Sequence, residues 1–181
     1  MRVISGIAGG RRLKSVPGSS TRPITDRVKE SVFNIIGAEV EEATFLDLFA
    51  GTGGVAIEAL SRGARAATLV EKNPRAIATI RENLEATGLA GQARVVRDDV
   101  FRFLGSTGEK YDVVYVAPPQ YRGLWKETLR TLDREDSPAA YLIVVQIHPK
   151  EFEAVGLRRF VLEDKRQYGS TLVCIYRRAE D

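Results

Sequence analysis

Asp47 and Glu71 are carboxylates set on either side of a glycine turn, Gly51-Thr52-Gly53-Gly54. The stretch around the turn reads strand, turn, helix. Thr44–Phe49 is a short apolar run suited to a buried strand, Gly54–Arg62 suits a helix, and Gly63 suits its C′ stop. Glycines at such a turn let the backbone approach a ligand closely and take positive φ. Glu71 ends the next apolar run 20 residues after Gly51, where a carboxylate can accept hydrogen bonds from ribose hydroxyls. Asp47, four residues before the first glycine, stands where it would attract a positively charged ligand group. With Ala50 and Lys72 beside them, these residues form a candidate nucleoside-binding site.

Two ligand classes fit this much. Gly51-x-Gly53-x-x-Ala56 satisfies the dinucleotide fingerprint and so admits a nicotinamide- or flavin-dependent oxidoreductase. Three features favour S-adenosylmethionine. Asp47 suits the cationic end of that molecule. Arg97-Asp98-Asp99-Val100 follows the third apolar run and places Asp99 and Val100 within reach of an adenine amino group. The chain also ends in two consecutive strand-like runs, a pattern more typical of methyltransferases than of dinucleotide domains.

A second constellation, Ala117-Pro118-Pro119-Gln120-Tyr121, follows the fourth apolar run. Two consecutive prolines have fixed φ and no N–H, so this loop is rigid and presents carbonyl acceptors. A flat base with an exocyclic amine needs acceptors for its N–H groups and an aromatic face to stack on. The carbonyls of Ala117 or Pro118 and the ring of Tyr121 would supply these, with Gln120 as a substrate contact. His148, Cys174 and Trp125 read as a loop residue, core filler and helix packing.

The elements that must position these residues alternate. Val28, Val32, Ile35 and Ile36 mark one face of a helix, and Ala66–Val70 follows the first strand-helix unit as a second strand. Asn73 suits an N-cap, Pro74 the first helical position and Gly88 the stop of a helix whose apolar face is Ile77, Ile80 and Leu84. Ala93–Val96, Tyr111–Val116 and Tyr141–Ile147 are further strands, with Gly123–Leu132 helical between the last two. Phe160–Gln167 and Ser170–Tyr176 leave no room for a crossover and must pair as an antiparallel hairpin. The fold class is α/β: a doubly wound, mostly parallel, seven-stranded, Rossmann-like sheet with an antiparallel end.

In 181 residues the formal charge is +3, but residues 1–30 carry +5 and the remainder −2. Arg11, Arg12, Arg22 and Arg27 make a basic arm suited to phosphate, and residues 9–23 (GGRRLKSVPGSSTRP) read as extended and mobile. The expected division is an arm over residues 1–24 and a domain over residues 25–181. One cysteine and one histidine exclude a disulfide framework and argue against a protein-ligated metal. No apolar run approaches the ~20 residues of a membrane span. A reducing, cytoplasmic setting, a monomer and no metal are the expectations.

Taken together, Arg2-Val-Ile-Ser-Gly, Gly10-Arg11-Arg12-Leu13, Arg22-Pro23-Ile24-Thr25-Asp26-Arg27-Val28-Lys29-Glu30, Asp47-Leu48-Phe49-Ala50-Gly51-Thr52-Gly53 and Glu58-Ala59-Leu60-Ser61-Arg62-Gly63-Ala64 resemble the RsmD-type small-subunit rRNA guanine-N2 methyltransferases over nearly the whole chain. The resemblance implies a class I methyltransferase fold and S-adenosylmethionine as donor. It implies in-line transfer to the N2 amine of one extruded guanine in 16S rRNA, within an assembled or partly assembled small subunit. The chain departs from that family where an Asp or Asn, two prolines and an aromatic residue are usual. Here those positions hold Ala117, Pro118, Pro119 and Gln120. The departure keeps a non-catalytic ribosome-assembly factor on the same scaffold as an alternative.

Overall fold

The β-branched and aliphatic runs form seven strands: β1 (Thr44–Leu48), β2 (Ala66–Glu71), β3 (Ala93–Arg97), β4 (Tyr111–Val116), β5 (Ala139–Ile147), β6 (Phe160–Tyr168) and β7 (Thr171–Arg178). In this computed structural model, which describes residues 1–18 and 23–180, they form one sheet in the order β3-β2-β1-β4-β5-β7-β6. Neighbours from β3 to β5 run parallel, while β7 pairs antiparallel with both β5 and β6. The doubly wound sheet with a closing hairpin thus stands as read from the sequence. The hairpin turn falls at Gly169-Ser170 rather than Tyr168-Gly169, because Gly169 supplies a φ of 59°.

Helices cover both faces. On one side lie α1 (Asp26–Ile36), α2 (Gly54–Ser61) and α3 (Pro74–Thr87), packing Val32, Ile57 and Ile80 against Phe45, Leu69 and Tyr115 of the sheet. On the other lie α4 (Val100–Ser106) and α5 (Leu124–Leu132), packing Phe103, Trp125 and Leu129 against Leu46, Val114 and Ile143. The local caps explain where α3 begins and ends. Asn73 Oδ1 accepts from the Arg75 N–H at 2.9 Å, Pro74 opens the helix, and Gly88 closes it at φ 72°. Helix α4 has no counterpart in the sequence reading, because seven residues are too few for a helical period to register.

The N-terminal segment departs from the expected mobile arm. Val3, Ala8 and Leu13 are buried in the same core as the sheet, and Arg2 and Arg12 form an antiparallel bridge. Ala8 N–H donates to Ser61 Oγ at 2.9 Å, and Lys14 N–H to Asn83 Oδ1 at 2.8 Å. At Gly6 a β-carbon would lie 1.8 Å from the Ser61 carbonyl oxygen, so only glycine fits. The glycine, serine and arginine content that suggested an extended segment instead permits this close docking on α2 and α3. Arg22 lies outside the described residues.

A buried ion network fastens the segment. The side chains of Glu58 and Lys29 are both fully buried, with Lys29 Nζ 3.6 Å from Glu58 Oε2 and Arg62 Nε 2.9 Å from Glu58 Oε1. The N–H groups of Ile4 and Ser5 donate to the two Glu58 oxygens at 2.9 and 3.1 Å. Lys29 Nζ also donates to the Arg2 carbonyl at 2.5 Å. Burial lowers the Lys29 pKa and Glu58 counters that shift. The Asp-Arg-Val-Lys-Glu and Glu-Ala-Leu-Ser-Arg-Gly-Ala stretches therefore hold the N-terminus to the domain.

Candidate functional site

The first three parallel strands end on a shared ledge. Ala50 N–H donates to the Val70 carbonyl at 3.0 Å, tying the loop after β1 to β2, and Asp98 N–H donates to the Glu71 carbonyl at 3.2 Å, tying β2 to the loop after β3. Gly51 and Gly53 take φ 58° and 80°, conformations a side chain would strain, and Gly53 leads into α2. Glu71 turns back onto this loop. Its Oε2 accepts from Gly51 N–H at 2.9 Å, and its Oε1 accepts from the N–H groups of Lys72 and Asn73, each at 3.0 Å. Three backbone donors thus fix the carboxylate: two of them fill Oε1, while Oε2, with one, keeps a lone pair for a ligand hydroxyl.

Asp47 sits beneath the turn and does not open onto the ledge. It is 2% exposed, and its Oδ2 is buried without a hydrogen-bond partner. Burial pushes its pKa up to about 8; the Ala56 backbone N–H opposes the shift and the Glu71 charge adds to it. A buried carboxyl with a vacant lone pair under an ordered turn favours a cation above it. The raised pKa leaves the carboxyl protonated near neutrality, and a cation above it, unlike a pyrophosphate, would favour its charged form.

Asp99 stands just after β3, and one of its two oxygens is already engaged. Its Oδ1 caps α4, accepting from Phe101 and Arg102 N–H at 2.9 and 3.2 Å, because Ser/Thr/Asp/Asn side chains satisfy the orphan donors of a helix start. Val100, the first residue of α4, is buried in the core on that face.

The loop after β4 completes the ledge. Ala117 lies against the α1–α3 side of the core. Tyr121 is 64% exposed, holds φ 61° and tilts against the His148 ring at 5.6 Å between centroids. Glu151 accounts for that backbone: its Oε1 accepts from Tyr121 N–H at 2.7 Å and its Oε2 from His148 N–H at 3.2 Å. His148 and Glu151 were not singled out as site residues from the sequence, and their only signal there was proximity to the end of the fifth strand. Trp125 stacks on Phe152 at 6.3 Å inside the core and is packing, and Cys174 is buried with its thiol pushed up to about 11.

Part of the basic segment runs beside the glycine loop. Asn83 Nδ2 donates to the carbonyls of both Thr52 and Lys14, so the Arg11–Lys14 stretch runs beside the turn. Arg11 reaches the Ala86 carbonyl at 2.7 Å, and Arg12 and Arg27 are exposed. A surface cleft of about 950 Å³ near the opposite end of the sheet contains Arg130, Arg158 and Arg178. Acids interleave them there, and Asp133 accepts from the Arg158 and Arg159 N–H groups, which marks a structural corner. Among the described residues no group of His, Cys, Asp or Glu could hold a metal ion, and no helix is long and apolar enough to cross a membrane.

The strand order, the antiparallel β7, the glycine turn after β1 and the carboxylate at the end of β2 define a class I methyltransferase-type fold. Residues 1–177 match the family described as "Conserved hypothetical protein 95", and the chain belongs to that family, the RsmD family. Ribosomal RNA small subunit methyltransferase D of Escherichia coli (strain K12) is 41% identical over 133 residues, covering 74% of this chain and 67% of that protein. The solved structure of yhhF from Escherichia coli superposes with a TM-score of 0.86 at 37% identity, covering 100% of this chain and 99% of that chain. An RNA methyltransferase from Salinibacter ruber, solved with S-adenosyl-L-homocysteine, shares the fold at a TM-score of 0.68 and 16% identity over 88% of this chain and 95% of that one.

Proposed function

We propose that the protein methylates the exocyclic N2 of a guanine in small-subunit ribosomal RNA, with S-adenosylmethionine as donor. Membership of the family and the 41% identity to a small-subunit rRNA methyltransferase support the reaction class. The observation that carries the donor is the orphaned Asp47 oxygen under a turn clamped by Glu71. A sulfonium nucleoside presents a cation and ribose hydroxyls together, whereas a dinucleotide would bring phosphate to the same turn.

Asp47, Ala50, Gly51, Gly53, Glu71, Lys72, Asp99 and Val100 would hold the donor, Glu71 at the ribose and Asp47 by giving up its proton beneath the donor's cation. When bound, the donor supplies an already activated methyl group. The chain's own work is alignment, which accounts for up to ~7–11 kcal/mol of a barrier. The rigid Ala117-Pro118-Pro119-Gln120 loop would present carbonyl acceptors to the base. Tyr121, fixed by Glu151, would offer the stacking face one position later than the usual aromatic.

Arg11, Arg12, Arg22 and Arg27 would bind RNA phosphates, giving affinity that falls steeply with salt, while the extruded base sets the target. In this reading residues 25–181 form the methyltransferase domain and residues 1–24 its RNA-facing extension. It acts as a monomer in the cytoplasm, on rRNA within an assembled or partly assembled subunit.

The test is incubation with radiolabelled S-adenosylmethionine and unmodified small subunits, followed by mapping of the labelled nucleotide. Label on the N2 of a single guanine is expected. Binding of donor and subunit without transfer would instead establish the assembly-factor role that Ala117 keeps open.

A further inference from the structure

An exocyclic amine is a poor nucleophile while its lone pair is delocalised into the ring. An acceptor placed against one N–H helps turn that lone pair toward the incoming methyl group. Ala117 carries no acceptor on its side chain. The strand register shows what stands next to it. Strand β4 pairs with β5 through Tyr115–Val144 and Val116–Val145, so Gln146 lies in line with Ala117 one step further on. Residues in register share a face, and Gln146 is therefore on the Ala117 and Tyr115 side of the sheet. The Tyr115 hydroxyl donates to Gln146 Oε1, which confirms the shared face and fixes the amide. Tyr115 is in turn paired with Asp47 across β1 and β4. At the carboxyl edge of the central strands, this face carries Asp47 under the turn, the Tyr115 phenol and the Gln146 amide. Of the three, Gln146 is half-buried, while the other two are fully buried.

We infer that Gln146 supplies the side-chain acceptor for the target amine, a role that an acid at position 117 would otherwise fill. The inference rests on the methyl-transfer reading above. The Tyr115 hydroxyl occupies one lone pair of the Gln146 carbonyl and leaves the second for an N–H of the amine. That nitrogen would gain the methyl as its bond to sulfur breaks, the thioether would leave neutral, and the surplus N–H proton would pass to water, the amide only accepting a hydrogen bond. The amide nitrogen keeps its two donors for an acceptor on the base edge. Tyr115 serves as the positioning residue. Burial and the neighbouring Asp47 charge hold its phenol well above the ordinary range, so it remains a donor throughout the pH range of the reaction. A phenol needs one acceptor, which an apolar neighbour's backbone could give; a side-chain amide near the end of the strand adds a further acceptor site in register with Ala117.

The experiment compares single-turnover methylation of unmodified small subunits by four proteins: wild type, Gln146→Ala, Ala117→Asp, and the double variant. S-adenosylmethionine affinity, measured by calorimetry, verifies that each folds and binds donor. Gln146→Ala is expected to lower the transfer rate by about tenfold or more, the value of one hydrogen bond, with donor affinity unchanged. Adding Ala117→Asp to Gln146→Ala is expected to restore the rate to within about threefold of wild type. A structural role for Gln146 would give no such rescue. Transfer by Gln146→Ala within about twofold of wild type overturns the inference while leaving the methyl-transfer reading intact, since loop carbonyls would then suffice. A wild type inert until Ala117→Asp is introduced also overturns it, showing that the acceptor is missing. Inert proteins throughout would overturn the reading on which it rests.

Discussion

Asp47→Asn is expected to stabilise the protein in alkaline solution and to weaken its hold on S-adenosylmethionine. The Asp47 carboxyl is raised from 3.8 to about 8 by burial, so the folded chain keeps a proton that the unfolded chain releases. Between these values the native state binds more protons, and stability falls as pH rises through the window. The contribution is fully present below pH 3.8 and lost above about 8. Each tenfold change in a proton-binding equilibrium is worth about 1.4 kcal/mol, so the cost at about pH 8.5 is on the order of a few kcal/mol. Asparagine does not titrate. The melting temperature of the variant should exceed that of wild type at about pH 8.5 by about 2–4 °C for each kcal/mol recovered, and the two should converge toward about pH 4. The same carboxyl should release its proton when a sulfonium settles over the turn. Calorimetry in buffers of different ionisation enthalpy would show this as a proton set free by wild type and none by Asp47→Asn. A melting difference that is the same in mildly acidic and in alkaline buffer would contradict the assignment.

Glu58→Ala is expected to be the most damaging single change to the fold. It removes the partner of a fully buried lysine and two backbone N–H acceptors at once. Leaving one member of a buried pair uncompensated costs about 3–5 kcal/mol. The N-terminal segment should detach with it, because Ile4 and Ser5 are held by this carboxylate. Trypsin cleavage at Arg2, Arg11 and Arg12 should become fast, and the melting temperature should drop by about 2–4 °C per kcal/mol lost. Replacing Lys29 and Glu58 together by methionine should cost less than Glu58→Ala alone, since the fully buried ammonium is gone and only Arg62, which keeps some access to solvent, loses its partner. Equal protease resistance in wild type and Glu58→Ala would contradict the clamp.

What the sequence made legible was local or periodic. Asn73, Pro74 and Gly88 announce both ends of α3 because capping is decided within a few residues. The apolar runs and the missing crossover before Phe160 determine the parallel sheet and its antiparallel end. The Gly51–Glu71 spacing led to the central clamp because a carboxylate at the end of the second strand faces the turn after the first. Contacts made across the sheet were not legible. Ile4 and Ser5 meet Glu58 across more than fifty residues, Lys14 meets Asn83 across 69, and Tyr121 meets Glu151 across 30. A glycine- and arginine-rich segment read alone therefore looked like a mobile arm, and Glu58 stood out only as part of a family stretch. Asp99 shows a further limit: an acid before a helix suits both a ligand and a cap, and the sequence does not reveal that one of its oxygens serves the cap. Gln146 became visible only through the β4–β5 register.

The nucleoside site on the Glu71 clamp is tested most directly by titrating S-adenosylmethionine into wild type and Glu71→Ala by calorimetry. One molecule should bind per wild-type chain, and the variant should lose affinity by about 10- to 100-fold, the loss of one charge-assisted hydrogen bond. Equal affinity in the two proteins, or no binding to wild type, would show that the ledge at the ends of β1 and β2 is not where the donor sits.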